Sequence, residues 1–291
     1  MASNRNQPAG PSRKPRPKRP SPSQGGVGTA PFRQLLKTAH ELADLSGDIL
    51  RPYFRKPIAV TDKGQGGAFD PVTAADRAAE RAIRRTLAER WPAHGLVGEE
   101  LGNTREGARL RWVIDPIDGT RAFIMGSPLW GTLIGLLDDG RPLLGLMDQP
   151  FTRERYWSDA EASYLRTAAG KARRLQTRAC PRLADAMLCS THPDLFAPGR
   201  EADAFARLKA SVRMTRYGGD CYSYCLLAAG FVDLVVEAGL KAHDIVALVP
   251  IIERSGGRVS TWTGGSPAAG GAIVAAGDAR LHDAAVALLS R

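Results

Sequence analysis

The chain has 291 residues, enough for one large or two modest domains, and its 43% hydrophobic and 24% charged content is that of an ordinary globular protein. No apolar run approaches the ~18 residues that span a bilayer, and the N-terminus lacks an apolar secretory segment, so a cytoplasmic protein with no membrane partner is expected. The formal net charge of +10 is uneven: residues 1–30 carry +6 and residues 31–291 only +4, which does not favour nucleic acid as the main partner of the folded body.

The basic residues of the first segment are Arg5, Arg13, Lys14, Arg16, Lys18 and Arg19, with no Asp or Glu. Pro, Ser, Gly and Gln dominate, so too little apolar surface is present to offset the entropy of ordering, and a disordered tail is expected. It is either a solubilising extension or a weak electrostatic tether to nucleic acid or anionic lipid. Residues 31–54 read as an amphipathic helix with Phe32, Leu35, Leu36, Ala39, Leu42, Ala43, Leu45, Ile49 and Leu50 on its apolar stripe. An extended piece (57–62) and a Gly-rich turn (63–67) lead to Asp70-Pro71-Val72-Thr73-Ala74-Ala75-Asp76. Thr73 and Asp76 form a capping-box pattern at the start of a helix reaching about Arg90.

Gly95–Gly98 reads as a strand entering Glu99-Glu100, and Arg111–Ile114 as a strand entering Asp115-Pro116-Ile117-Asp118-Gly119-Thr120. Residues 130–138 and 141–149 predict a β-hairpin across Asp138-Asp139-Gly140. Beyond it, 186–189, 212–217, 232–237 and 272–276 read as strands, and 221–230, 244–256 and 279–289 as helices, with Gly256-Gly257 ending the second of these. This interleaving indicates α/β layers dividing near residue 150, giving halves at 31–150 and 151–291. Cys180, Cys189, Cys221 and Cys225 fit no CxxC or zinc spacing, and a reduced compartment is the simpler expectation.

Asp115 and Asp118 flank a proline just past a strand, where the chain is expected to turn and let both carboxylates converge. Converging anions repel unless a cation separates them, and hard oxygen donors suit Mg²⁺ or Mn²⁺. By itself such a stretch is usually a surface turn. Asp76, Glu99-Glu100 and Asp244 also stand at segment ends, which shifts the reading toward a metal site.

Gly98-Glu99-Glu100, Trp112-Val113-Ile114-Asp115-Pro116-Ile117-Asp118-Gly119-Thr120, Lys241-Ala242-His243-Asp244 and the Thr73–Asp76 element together resemble the inositol monophosphatase-like phosphatases, from about residue 32 to the C-terminus. The resemblance implies the layered αβαβα sugar-phosphatase fold, a homodimer, and two or three Mg²⁺ ions held by Glu99, Asp115, the Ile117 carbonyl, Asp118 and Asp244. It implies that Asp76 and Thr120, with Glu99, orient or deprotonate an attacking water in two-metal hydrolysis of a phosphate monoester. Asp76 also reads as a helix cap alone, and Glu100 as a solvated neighbour.

The block from Thr215 to Gly257 and the run Asp118-Gly119-Thr120-Arg121-Ala122-Phe123-Ile124 are similar to the histidinol-phosphate phosphatase branch. His243 stands where inositol phosphatases commonly carry Trp, and Asp220 where they carry a small residue. Candidate substrate contacts are Asp118, Gly119, Thr120, Arg121, Arg216, Gly219, Asp220, Glu237 and Asp244. Asp220 and Glu237 would complement an ammonium and an imidazole, whereas a neutral inositol ring would leave charge unpartnered. Asp220 also reads as the cap of the helix at Cys221, and Arg216 as the partner of a carboxylate. Another sugar-phosphate or inositol monophosphatase is the alternative reading, and a tail-driven binder with a vestigial site is the reading from a different class.

Overall fold

The computed structural model describes residues 28–62 and 71–290. Residues 1–27 of the basic tail, and Asp70 with the Gly-rich turn, lie outside the described residues. The first helix, α1 (Thr29–Leu50), begins two residues earlier than expected, and its stripe of Phe32, Leu35, Ala39, Leu42, Ala43 and Leu50 is buried. β1 (Val60–Asp62) and β2 (Pro71–Thr73) pair as a short antiparallel ribbon that delivers the chain to α2 (Ala74–Arg90). The capping box forms there: Ala75 N–H donates to Thr73 Oγ1 (3.2 Å) and Thr73 N–H to Asp76 Oδ2 (2.9 Å).

β3 (Gly95–Gly98), β4 (Asn103–Thr104) and β5 (Leu110–Asp118) follow, then the short α3 (Thr120–Ile124) and the hairpin β6 (Gly131–Asp138) and β7 (Arg141–Gln149). Asp139 and Gly140 both take positive φ (47° and 77°), the type I′ geometry that the Asp-Gly pair predicts. β8 (Glu154–Ser158), β9 (Ser163–Arg166) and β10 (Ala172–Arg174) complete an eight-stranded sheet in the order β10-β9-β8-β7-β6-β5-β3-β4. The expected boundary near residue 150 therefore falls inside this sheet, which runs on to Arg174.

The remaining elements are β11 (Met187–Ser190), α4 (Arg200–Ser211), β12 (Met214–Tyr217), α5 (Asp220–Ala228), β13 (Leu234–Leu240), α6 (Ala242–Ile245), α7 (Leu248–Ser255), β14 (Arg258–Thr261), β15 (Gly271–Ala276) and α8 (Ala279–Leu289). Their strands form a second sheet, β12-β11-β13-β15-β14. The single helix expected over 244–256 is two, a one-turn α6 and then α7, closed by Gly256 at φ 108°.

Three apolar clusters define five layers. α1 and α2 pack on the outer face of the first sheet through Leu42, Ile83, Trp112 and Leu144. α5 and α7 lie between the sheets, with Met147, Leu227, Ile251 and Val235 in one core. α4 and α8 cover the outer face of the second sheet through Phe205, Leu234 and Leu281. This is the αβαβα arrangement. Close seating of the middle layer requires glycine. A Cβ at Gly145 would lie 1.8 Å from the Ala247 carbonyl oxygen, and one at Gly135 would lie 2.8 Å from Val246 Cγ1.

Candidate active site

In a regular strand, residues i and i+3 point to opposite faces. β5 avoids this with a bulge at Pro116: Asp115 pairs with Leu133 and Asp118 with Gly131, so β5 spends two residues where β6 spends one. The expected turn is thus a bulge within a strand that continues to Asp118. Proline is tolerated there because the ladder is already broken. The extra residue puts both carboxylates on one side, where they meet Asp244 from α6. One oxygen from each of the three lies within 4.8 Å of the others.

Each side chain of this cluster is fixed by the backbone. Asp115 Oδ1 accepts the Ile117 N–H (3.0 Å), and the Thr120 hydroxyl donates to the Ile117 carbonyl (3.0 Å). Asp118 Oδ2 accepts the Cys221 N–H (2.7 Å), and Asp244 Oδ2 the Lys241 N–H (2.7 Å). β3 runs parallel to β5 with Gly98 opposite Ile114, so Glu99 emerges beside Asp115 and hydrogen-bonds with it. Burial holds the Asp115 and Asp118 carboxyls well above the usual range. The charges of Glu99, Asp118 and Asp244 add to this at Asp115, and those of Asp220 and Asp244 at Asp118. Burial raises Asp244 as well, against the nearby His243. A buried cluster of carboxylates with neighbouring carbonyl oxygen is the donor set of a hard divalent cation, and the residues present fit one.

α2 supports the site from behind. Asp76 is 1% exposed, its Oδ1 has no hydrogen-bond partner among the described residues, and burial pushes its carboxyl up to about 6 despite bonds from Thr73. One turn on, Glu80 is fully buried. Its carboxylate accepts the Glu100 N–H (2.7 Å) and the Leu101 N–H (3.1 Å), and Arg84 pairs with it at 2.6 Å. Glu80 therefore clamps the turn that presents Glu99. Sequence reading passed over it as an unremarkable helix residue, although its spacing four residues after Asp76 puts both on one helix face. Glu100 is not a solvated neighbour: its side chain is 2% exposed, 3.9 Å from Arg77.

A cavity of about 260 Å³ opens from Asp118 and Asp244 toward the second sheet. Gly119, Thr120, Arg121, Asp220 and Glu237 line it as expected, together with Thr191 and Tyr224, which sequence reading did not single out. Gly119 takes φ 83°, and a Cβ there would stand 3.0 Å from the Leu129 carbonyl. Thr191 donates its N–H (2.9 Å) and hydroxyl (3.0 Å) to Glu237 Oε1 and also contacts Asp220. Burial pushes Glu237 up to about 8 and Asp220 to about 6. Asp220, at φ 41°, is the first residue of α5 and Gly219 holds the N-cap position, so the cap reading does not hold. Arg216, on edge strand β12, is exposed and outside the cavity lining; Gly219 is half-buried and also outside it, and a Cβ there would stand 2.0 Å from Ser223 Oγ. His243 is buried, 3.4 Å from Asp244 of the acidic cluster.

The profile of the Inositol monophosphatase family matches residues 32–291. The bifunctional phosphatase IMPL2 of Arabidopsis thaliana is 41% identical over 286 residues, covering 94% of this chain and 80% of the relative. The histidinol-phosphatase of Mycobacterium tuberculosis is 35% identical over 214 residues, covering 73% and 82%. An inositol monophosphatase structure from Zymomonas mobilis superposes with a TM-score of 0.79 at 41% identity, over 89% of this chain and 99% of that one. Motifs, fold and carboxylate geometry agree: the chain belongs to the inositol monophosphatase family of phosphatases.

Proposed function

We propose that this phosphatase hydrolyses L-histidinol phosphate to L-histidinol and phosphate with Mg²⁺. The observation that carries the reading is the second pair of carboxylates, Asp220 and Glu237, which meet at Thr191 in the cavity that also contains Asp118 and Asp244. A substrate with phosphate at one end and positive nitrogen groups at the other matches this division of charge. Names of relatives point the same way: chains 32–35% identical to this one are histidinol-phosphatases.

Glu99, Asp115, the Ile117 carbonyl, Asp118 and Asp244 would hold the ions. When bound, these supply Lewis-acid charge to the phosphoryl group and lower the pKa of water. Gly119, Thr120 and Arg121 face the phosphate. Thr120 and Asp76 orient the attacking water, and the raised Asp76 carboxyl suits it to take a proton near neutral pH. Asp220 and Glu237 take the ammonium and imidazole. The second reading, an inositol-phosphate phosphatase, is favoured by the 41% identity to the Zymomonas structure. Expression in a histidine auxotroph lacking histidinol-phosphatase tests the choice. Growth without histidine supports the first reading, and failure by a soluble, phosphatase-active protein supports the second.

A further inference from the structure

Tyr224, on the cavity side of α5, is 3% exposed, and its ring packs in the core between the sheets with Cys221, Cys225 and Ile245. A phenylalanine would fill that space equally well. The hydroxyl is buried with no hydrogen-bond partner among the described residues. Such a group costs stability unless something satisfies it. Tyr224 lines the cavity with Glu237, Asp118 and Asp244, and these three carboxylates, after burial, hold its phenol as O–H. Glu237 has the same deficit. Its Oε1 takes both Thr191 donors, while its buried Oε2 has no partner among the described residues.

Two buried unsatisfied polar atoms, one an O–H and one a carboxyl oxygen, therefore belong to residues that line one cavity. The geometry points to Tyr224 as a specificity-determining residue whose hydroxyl hydrogen-bonds the polar organic end of the substrate beside Glu237. The matching group accepts from Tyr224 and hydrogen-bonds the free oxygen of the Glu237 carboxyl, as an imidazole or amino alcohol does and an alkyl or aryl group does not. A site built to hydrogen-bond a substrate rejects analogues lacking the group, because its own polar atoms are then left unpaired. The inference rests on the reading that the ester's organic part carries such groups.

The test is Tyr224→Phe, assayed with Mg²⁺ on L-histidinol phosphate, myo-inositol 1-phosphate and 4-nitrophenyl phosphate, with Tyr224→Leu as a second variant should Phe fold poorly. The expected result is that kcat/KM for the preferred polar ester, relative to 4-nitrophenyl phosphate, falls at least tenfold, mainly through KM. An unchanged ratio overturns the inference, since the hydroxyl then serves only the metal carboxylates or the fold. The wild-type preference between the first two esters tests the substrate reading separately. If inositol phosphate is preferred but the ratio for that ester still falls, Tyr224 keeps its role and the histidinol reading fails.

Discussion

Asp118 Oδ2 accepts the backbone N–H of Cys221 at 2.7 Å, across 103 positions of sequence. One carboxylate thus belongs to the acidic cluster with Asp115 and Asp244 and also anchors α5, the helix that carries Asp220 and Tyr224. The two ends of the cavity are held in register by a single side chain.

Asp118→Asn separates these two roles, because an amide oxygen still accepts the Cys221 N–H while the anion is lost. Activity on any phosphate monoester is expected to fall by about 100-fold or more. The melting temperature of the metal-free protein should stay equal or rise, since a like charge leaves a buried carboxylate cluster. Initial rates with Mg²⁺ and a thermal melt in chelator measure both.

Glu80→Ala should remove the clamp on the Glu99 turn. Two N–H groups and Arg84 lose their buried partner, a loss of about 3–5 kcal/mol by analogy with other broken buried pairs. Supporting partners of ligands typically change metal affinity 10- to 100-fold, so Mn²⁺ titration calorimetry should show affinity about tenfold weaker. Glu80→Gln, which keeps one acceptor, should recover part of it. Equal Mn²⁺ affinity in all three proteins would remove Glu80 from the positioning of Glu99.

Gly145→Ala should damage the site from a distance. The added Cβ would overlap the Ala247 carbonyl at 1.8 Å and push α7, with α6 and Asp244, off the sheet. Overpacking of this kind costs about 1–3 kcal/mol or more, a drop of about 3 °C or more in melting temperature. Weaker Mn²⁺ binding should accompany the lower melt. A variant with normal melt and binding would show that the α6–α7 junction moves freely.

Stability of the metal-free protein should depend on pH through Glu237. Burial raises this carboxyl from an ordinary 4.5 to about 8, so the folded chain keeps a proton that the unfolded chain has released. The folded state binds more protons between pH 4.5 and 8, and stability therefore falls as pH rises through that window and levels off above it. Glu237→Gln should give a shallower slope and raise the melting temperature at pH 8 by about 3 °C or more. Parallel melting curves for the two proteins from pH 5 to 8.5 would contradict this.

Much of the acidic cluster was legible in the sequence because its residues sit at segment ends that periodicity locates. β3 ends before Glu99, and the Thr73 box sets the phase of α2. A proline normally ends a ladder, so the sequence predicts a turn over Asp115–Asp118, and nothing in it announces a bulge that resumes pairing at Asp118. The strands at 154–174 carry no clear signal because Arg155, Arg166 and Arg174 interrupt the apolar alternation. Arg155 is nevertheless buried, neutralised by Asp148 and Asp44 at 2.7 Å each. Thr191 and Tyr224 were invisible for another reason. Thr191 reaches Glu237, 46 positions away, only because β11 and β13 are neighbours in the second sheet, and Tyr224 shares a cavity with Glu237 only because α5 carries it there.

On the proposed function, the Asp220–Glu237 end of the cavity selects a positively charged organic group. The direct measurement is kcat/KM of the purified protein with Mg²⁺ for L-histidinol phosphate and for myo-inositol 1-phosphate, each with phosphate release followed. A preference of about 100-fold or more for L-histidinol phosphate is predicted, reduced by at least tenfold in Asp220→Asn. Equal rates, or faster hydrolysis of the inositol ester, would contradict the account.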